Sequence, residues 1–272
     1  MKHSLAGSPP PAEPGRTIPA IRRTLALFDL LAQSRRSLSL SEISRRLQLP
    51  KSSVHRILAT LEEQECVRRN PETDRFSLGV KLMALSRAAL EGAELREQAA
   101  PHLLRLQQQT GLTIHMAVLE HKQAVLIAKL EPLGQPTVGT WIGRAMDLNS
   151  TAAGKALIAH LPEAEIGRLF SSRAFVRHNH RTIVGLAHLN RELAAVRESG
   201  YALDDEEDEL GVRCIGAPVM QRDRVVAAIS LAGYLDQVTE DRITSLASRV
   251  RHAATLISAQ ISKQGRIRSL NC

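Results

Sequence analysis

Small polar and basic residues follow one another between positions 51 and 56, and their spacing suits contact with DNA. They are Lys51, Ser52, Ser53, His55 and Arg56. At the 100° per residue of an α-helix, Ser52, His55 and Arg56 lie opposite a stripe of aliphatic residues. The major groove accepts such side chains, whereas large acidic ones would meet phosphates. Arg56 can donate two hydrogen bonds to guanine O6 and N7, and Lys51 is better placed for phosphate.

Three further arginines flank the turn at 70–74, in which Asn, Pro and Asp occur together. They are Arg68, Arg69 and Arg75, and they suit contact with the DNA backbone or the minor groove. The short apolar and basic runs on either side of this turn predict a β-hairpin. This hairpin would form the wing of a DNA-binding domain.

Helical patterns precede the hairpin. From Ile21 onward, apolar residues recur at steps of three and four, which predicts a first helix. Ser39, with Glu42 three residues later, forms a capping box that opens a second helix. This helix ends near Leu49, because Pro50 disfavours a helical conformation in the residue before it. The third helix starts at Pro50 and carries the polar face described above.

The rest of the chain predicts a second domain. A helical stretch from Val80 to about Leu90 reads as a linker helix. Beyond it, apolar runs predict strands at 113–119, 124–131, 138–148, 214–220 and 224–232, and periodic stretches predict helices at 151–160, 163–170, 186–199 and 240–261. The mixture lacks a regular βαβ alternation, so we expect an α+β fold with a mainly antiparallel sheet.

Composition narrows the class of protein. The net charge is +8, and residues 1–80 hold thirteen Lys and Arg against eight Asp and Glu, which favours a polyanionic partner. The three cysteines are far apart and form no CxxC pair, so we expect a reducing cytoplasm and no disulfide framework. The first seventeen residues read as a disordered tail without a signal peptide, and we expect no membrane partner.

Three motifs resemble those of one known family. The stretch LSLSEISRRLQLPKSSVHRIL at 38–58 is similar to the helix-turn-helix of IclR-type transcriptional regulators. The stretch GYALDDEEDELGVRCIGAPV at 200–219 resembles the signature of that family's C-terminal domain, and AAGKALIA at 152–159 also fits. The motifs occur in the family's order, and the resemblance covers about residues 18–262.

The resemblance implies a GAF-like C-terminal domain that binds a small-molecule effector in a pocket beside the sheet. The family's polar pocket positions correspond to Asp204, Cys214 and Ser230, and the backbone near Ala152 and Ala153 closes one side. A hydroxyl, a thiol and backbone N–H groups can hold a carboxylate without a full positive charge. We therefore expect a small organic or aromatic acid as the effector.

Two positions depart from the family's pattern. Ala232 stands where carboxylate-binding members often have a serine, so a 2-oxo acid is a less secure expectation. Trp141 stands in a segment that is typically aliphatic, and it could form an aromatic lid over a ring-shaped ligand. Trp141 could equally pack in the core, as a single tryptophan usually does.

The predicted organisation has four parts. They are a disordered tail at 1–17, a winged helix-turn-helix domain at 18–79, the linker helix at 80–92 and the GAF-like effector domain at 93–264. The expected partners are a double-stranded DNA operator, a small-molecule effector and a second copy of the chain, as a homodimer or a dimer of dimers. The first helix and the linker helix would form the dimer interface. We expect no cofactor.

Other functions were weighed against this one. An enzyme would use Cys214 as a nucleophile, but no histidine lies near it in the sequence and its apolar setting favours an inert thiol, so we expect no catalysis. The acidic run at 204–209, or His178 with His180, could hold a metal, but spacing fixes no third ligand and we expect no metal site. A helix-turn-helix that contacts only protein is the third alternative, and the basic wing argues against it.

Overall fold

The computed structural model describes residues 18–34, 36–85, 94–171 and 175–263. It divides into two compact units, one formed by the described residues up to 85 and the other by those from 94 onward. The predicted tail at 1–17 lies outside the described residues, as does most of the predicted linker helix, of which residues 81–85 are helical. Within these ranges, no helix is both long and apolar enough to cross a membrane.

The described residues of the first unit form three helices and a small antiparallel sheet, followed by the helical stretch at 81–85. Its elements are α1 (Pro19–Gln33), β1 (Leu38–Ser39), α2 (Leu40–Leu47), α3 (Lys51–Glu63), β2 (Val67–Asn70) and β3 (Arg75–Leu78). The strands lie in the order β1-β3-β2, and their inner residues share one core with Leu27, Ile43 and Leu58 from the three helices. The predicted winged helix is confirmed. Helix α3 begins one residue later than predicted, because Pro50 has an extended ψ of 140° and serves as the N-cap.

The second unit contains five helices and one six-stranded sheet among its described residues. Its elements are α4 (Glu94–Thr110), β4 (Thr113–Glu120), β5 (Gln123–Leu130), β6 (Ala145–Met146), α5 (Ala152–Ile158), α6 (Glu163–Ser171), α7 (Leu186–Ser199), β7 (Ala202–Asp205), β8 (Val212–Gln221), β9 (Arg224–Tyr234) and α8 (Glu240–Lys263). The strands lie in the order β6-β5-β4-β9-β8-β7, and every neighbouring pair is antiparallel. The α+β prediction is therefore confirmed.

Helices cover both faces of this sheet, which gives the unit two cores. Leu103 of α4 and Val250 of α8 pack against one face, together with Ile229 of β9. Ala156 of α5 and Leu193 of α7 pack against the other, together with Ala228. Because side chains alternate along a strand, neighbouring residues of β9 enter opposite cores. The face covered by α5 is the one that carries the candidate effector site.

The structure differs from the sequence-based expectation at three places. The predicted strand at 138–148 was wrong: only Ala145–Met146 is a strand, and Gly143, at φ 87°, has a conformation that a strand cannot contain. Helix α4 was not predicted, and it contains Pro101 in its interior. Strand β7 was also not predicted, because the sequence analysis treated the stretch at 200–219 only as a family motif. The loop that replaces the predicted strand forms part of the site described below.

Candidate functional site

The turn between α2 and α3 holds the two helices of the first unit in a fixed relation. Gln48 adopts the left-handed conformation, with φ 54°, and ends α2. The Ser44 hydroxyl donates to the carbonyl oxygen of Leu49 at 2.6 Å, and the Leu49 N–H donates to the carbonyl oxygen of Ser44 at 3.1 Å. The predicted capping box is also present: the Ser39 hydroxyl accepts from Glu42 N–H, and the Glu42 carboxylate accepts from Ser39 N–H. Hydrogen bonds between Ser44 and Leu49 thus close the turn, and the capping box fixes the start of α2.

Helix α3 presents the predicted polar face to solvent. Lys51, Ser52, His55 and Arg56 are exposed, and Ser53 is half-buried at the first turn. The opposite face buries Val54, Leu58 and Leu61. No acidic residue occurs on α3 before Glu62, so the exposed face over the first two turns is polar and basic. The structure therefore brings the five predicted residues of α3 together on one surface.

The three predicted wing arginines differ in their surroundings. Arg68 is exposed on β2. Arg69 pairs with Asp74 across the hairpin and lies over the Phe76 ring, 5.9 Å from its centroid. Arg75 is half-buried: its guanidinium pairs with Glu42 and donates to the carbonyl oxygen of Ser37 at 2.9 Å. The hydrogen bond from the Ser39 backbone N–H lowers the pKa of Glu42, and the charge of Arg75 lowers it further. Burial acts in the opposite direction, but the pKa of Glu42 stays below its usual value. Arg75 thus ties the wing to α2.

The second unit contains a narrow cavity of about 40 Å³ between the sheet, the start of α5 and the loop that follows β5, and with its open mouth the empty space amounts to about 490 Å³. Five of the six predicted effector residues line it: Asp204, Cys214, Ser230, Ala152 and Ala153. The other lining residues are His115, Val138, Gly139, Thr140, Arg144, Met146, Thr151, Asp208, Glu209, Val212 and Ala232. Residues that are up to 117 positions apart in the chain thus meet at one site.

Sheet register explains why the predicted polar residues meet. Asp204 of β7 lies opposite Cys214 of β8, and Ser230 of β9 lies opposite Gly216 of β8. Gly216 is required here, because a Cβ on it would lie 2.8 Å from the carbonyl oxygen of Ala152. The missing side chain lets the first turn of α5 approach the sheet and close the cavity.

The floor of the cavity is buried and carries little charge. Burial, reinforced by the nearby Asp208 and Glu207 carboxylates, raises the pKa of Asp204 well above its usual value. Burial and the neighbouring Asp204 likewise raise the pKa of the Cys214 thiol. Both shifts favour the protonated form, in which Asp204 and Cys214 join the Ser230 hydroxyl as hydrogen-bond donors. A protonated thiol is a poor nucleophile.

Sequence reasoning missed His115 and Thr140, two further polar residues of the cavity lining. His115 of β4 lies opposite Ser230, and its Nε2 is 2.8 Å from the Thr140 hydroxyl. Burial, with the charges of Lys129 and Arg144, lowers the pKa of His115 to about 3, so the ring is neutral. Neither residue belongs to a recognisable motif, because β4 reads only as an apolar strand and the loop was predicted as a strand.

A third residue that sequence reasoning missed lies behind the cavity. The side chain of Lys155 on α5 is fully buried and donates to Glu207 Oε1 at 2.6 Å, to Glu192 Oε1 at 3.4 Å and to the carbonyl oxygen of Leu203. Burial raises the pKa of Glu207 to about 7, against the opposing charge of Lys155. Lys155 thus ties the helix that closes the cavity to β7 and to the loop that follows it. The AAGKALIA motif contains this lysine but does not indicate its partners.

Trp141 is the predicted effector residue that the structure does not place in the cavity wall. Its side chain is 44% exposed, so it does not pack in the core either, and its ring lies under the guanidinium of Arg144 at 5.2 Å. A metal at His178 and His180 was the alternative that the sequence left open. His178 pairs with Asp147 at 3.0 Å, and the described residues contain no group of three His, Cys, Asp or Glu side chains that could hold a metal.

Comparisons with known proteins agree with both units. The IclR helix-turn-helix domain model matches residues 20–71, and that of the bacterial transcriptional regulator IclR C-terminal domain matches residues 87–259. The HTH-type transcriptional regulator XynR of Escherichia coli K12 is 33% identical over 242 residues, which are 89% of this chain and 96% of XynR. The transcriptional repressor IclR of the same organism is 32% identical over 261 residues, covering 91% of this chain and 95% of the relative.

Solved structures show the same arrangement of elements. The Thermotoga maritima IclR structure is similar with a TM-score of 0.73 and 28% identity, covering 89% of this chain and 98% of that one. An IclR homolog from Microbacterium hydrocarbonoxydans, solved in complex with 4-hydroxybenzoate, shares the fold with a TM-score of 0.76 at 22% identity, covering 90% and 100%. The first unit is therefore the family's DNA-binding domain and the second its effector domain. The chain belongs to the IclR family of transcriptional regulators.

Proposed function

We propose that α3 reads an operator in the major groove through Lys51, Ser52, Ser53, His55 and Arg56. The observation that carries this proposal is the exposed, polar and basic face of α3, set by a hydrogen-bonded turn beside α2. Arg56 discriminates guanine, and Lys51 contacts phosphate at the start of the helix.

The wing arginines take unequal parts in this interface. Exposed Arg68 contacts the DNA backbone directly. Arg69 leaves its ion pair with Asp74 and pairs with a DNA phosphate instead. Arg75 acts indirectly, because its guanidinium already binds Glu42 and Ser37. We therefore assign Arg75 an indirect role in DNA binding, in which it holds the wing in place.

The test measures DNA binding by fluorescence anisotropy, on fragments that the protein selects from the genome of its organism. Arg56→Ala should lose about 1–3 kcal/mol of discrimination between the selected site and a site with the contacted guanine replaced. Arg68→Ala should weaken binding to all sequences alike and reduce the slope of log K against log salt by about 0.9. Equal affinity of the wild type for selected and random duplexes would favour a helix-turn-helix that contacts protein.

We further propose that a small organic or aromatic acid binds in the cavity of the second unit and modulates operator binding. The ligand's carboxylate takes hydrogen bonds from Ser230, Cys214 and the protonated Asp204, and the backbone at Ala152 and Ala153 closes this end. The raised pKa of Asp204 supports this assignment, because an ionised Asp204 would repel an anion. Ala232, in the wall beside them, offers no hydroxyl.

A panel of monocarboxylic acids, with 4-hydroxybenzoate included, tests this proposal by isothermal titration calorimetry. Ser230→Ala should weaken binding of any acid that binds by about tenfold or more, because a buried hydrogen bond to a charged group is lost. Ser262→Ala, which removes an exposed hydroxyl on α8, is the matched control. Unchanged affinity in Ser230→Ala would place the acid elsewhere.

The protein would act as a homodimer or a dimer of dimers through its first unit. Ile18, Ile21 and Leu25 of the α1 region are more than half exposed, and so are Val80 and Met83 beyond the wing. Exposed aliphatic residues in such number mark a surface that another chain covers. Ile21→Glu with Leu25→Glu should convert the assembly to monomers in analytical ultracentrifugation. An unchanged sedimentation coefficient would exclude this surface.

The remaining expectations follow from the same assignment. The domain boundaries at 17/18, 79/80 and 92/93 stay predictions, and the division of the structure near residue 92 supports the last of them. A regulator of operator DNA acts in the cytoplasm and turns over no substrate. Cys214 is partly buried and the pKa of its thiol is raised, which supports the absence of catalysis. Conversion of a bound acid to product, followed by mass spectrometry, would contradict it.

A further inference from the structure

Arg144 brings a positive charge to the lining of the cavity. Of the described residues that line the cavity, it is the one with a permanent positive charge, since His115 is neutral. The acidic residues in the wall are Asp204, Asp208 and Glu209. Arg144 is 30% exposed in its side chain, so it lies at the mouth, whereas Ser230 lies buried in the floor.

The Arg144 side chain is held in place before any ligand binds. Nη1 donates to the carbonyl oxygen of Gly139 at 2.8 Å, and the guanidinium plane is supported by the Trp141 ring. Its backbone carbonyl accepts from Leu126 N–H at 3.0 Å, which fixes the loop to β5. A preorganised guanidinium loses little entropy when it binds a ligand.

Arg144 retains capacity for an anion. Its ion pair with Asp208 is at the limit of contact, with 4.0 Å between Nη2 and Oδ2. Asp208 is also engaged by other groups, accepting from the Ser150 hydroxyl at 2.9 Å and lying 3.4 Å from His178 Nε2. A guanidinium group can donate two parallel hydrogen bonds to one carboxylate. The single distant contact with Asp208 does not use this capacity of Arg144.

From this arrangement we infer that Arg144 selects effectors with a second carboxylate, so that the effector class is dicarboxylic acids. One carboxylate meets the Ser230 end of the cavity, and the other pairs with Arg144 at its mouth. The inference rests on the proposed effector site, and it adds the charge and orientation of the ligand. Trp141 takes part as the support of Arg144 rather than as a lid over the ligand.

The test compares acids of equal shape that differ in the second carboxylate. Terephthalate is paired with 4-methylbenzoate, and glutarate with pentanoate, in calorimetric titrations of the full chain. The variants are Arg144→Met, Arg144→Lys and Ser230→Ala, and Arg249→Met, which removes an exposed arginine on α8, is the control. Wild type should prefer at least one dicarboxylate to its partner by about tenfold, the worth of a charge-assisted hydrogen bond.

Arg144→Met should abolish that preference and leave affinity for the monocarboxylate within about twofold, while Arg144→Lys retains part of it. Ser230→Ala should weaken both members of a pair. Equal binding of the two members by wild type, or a preference that survives in Arg144→Met, would overturn the role of Arg144 and leave the Ser230 site standing. If Arg144→Met weakened both members alike, Arg144 would hold the loop and not select the ligand. If no acid bound, the effector proposal would fall together with this one.

Discussion

Replacing Lys155 with methionine should strongly destabilise the effector unit. The Lys155 side chain is fully buried and its ammonium contacts Glu207, a carboxylate that is itself about nine-tenths buried. Methionine fills a similar volume, but it leaves Glu207 in the interior without its cation. Removing one partner of a buried ion pair costs about 3–5 kcal/mol where the remaining group is ionised, which for Glu207 means above its pKa of about 7, so the comparison is made at pH 8. The contact with Glu192 adds little, because that carboxylate is 31% exposed and 3.4 Å away.

Differential scanning calorimetry of the full chain measures this effect in the transition of the second unit. For a unit of this size, 3–5 kcal/mol corresponds to a fall in Tm of roughly 6–20 °C. Lys155→Met with Glu207→Met removes both partners, and replacement of a buried pair by apolar side chains is often neutral. The double variant should therefore be more stable than the sum of the two single effects by about 0.5–3 kcal/mol.

Lys263→Met, at the exposed end of α8, is the matched control and should leave the Tm unchanged. A fall in Tm of less than about 2 °C for Lys155→Met would refute the ion pair as a structural requirement. Strict additivity of the two single variants would refute the coupling between Lys155 and Glu207. Either result would mean that α5 is held against β7 by its apolar contacts alone.

Three further outcomes follow from local contacts. Ser39→Ala should lower the free energy of unfolding of the first unit by about 1 kcal/mol in urea titrations, because a capping hydrogen bond is lost; an unchanged value would contradict the cap. Gly216→Ala should cost about 1–3 kcal/mol and weaken acid binding, because its Cβ would press on Ala152; normal binding would mean that α5 can shift. In the folded protein the pKa of His115 is about 3, so below pH 6.5 the unfolded chain gains a proton that the folded chain does not, and stability falls by about 2 kcal/mol at pH 5. His115→Gln should remove this part of the acid sensitivity between pH 7 and pH 5, and an equally steep fall in the variant would contradict it.

Local signals made the first unit predictable from the sequence. The capping box at Ser39 marks the start of α2 and Pro50 marks the start of α3, and the structure has both starts within one residue. The end of α2, predicted near Leu49, lies at Leu47, because Gln48 adopts the left-handed conformation. The hairpin followed from its turn residues in the same way. The ion pair of Arg75 with Glu42 could not be read, because it joins residues 33 positions apart. The direction of an arginine side chain is set by tertiary contacts.

The residues that line the cavity could be predicted only where they belong to a motif of the family. Asp204, Cys214 and Ser230 came from the resemblance, and antiparallel register is what brings them together. His115 sits in a strand whose apolar neighbours conceal it. The loop at 138–144 was wrongly predicted as a strand, because its apolar and polar residues alternate as they do in a strand. In the structure, Gly143 and the hydrogen bonds from Lys129 to the carbonyl oxygens of Val138 and Thr140 fold this loop over the cavity.

The most direct test of the whole account measures operator binding with and without an acid that binds the cavity. The wild type and Ser230→Ala are compared by anisotropy on one DNA fragment selected from the genome, across a salt series. The account predicts a steep dependence on salt in both proteins and a shift in operator affinity on addition of the acid in the wild type only. A regulator whose operator affinity responds equally in both proteins, or in neither, would contradict the claim that this cavity controls the DNA-binding unit.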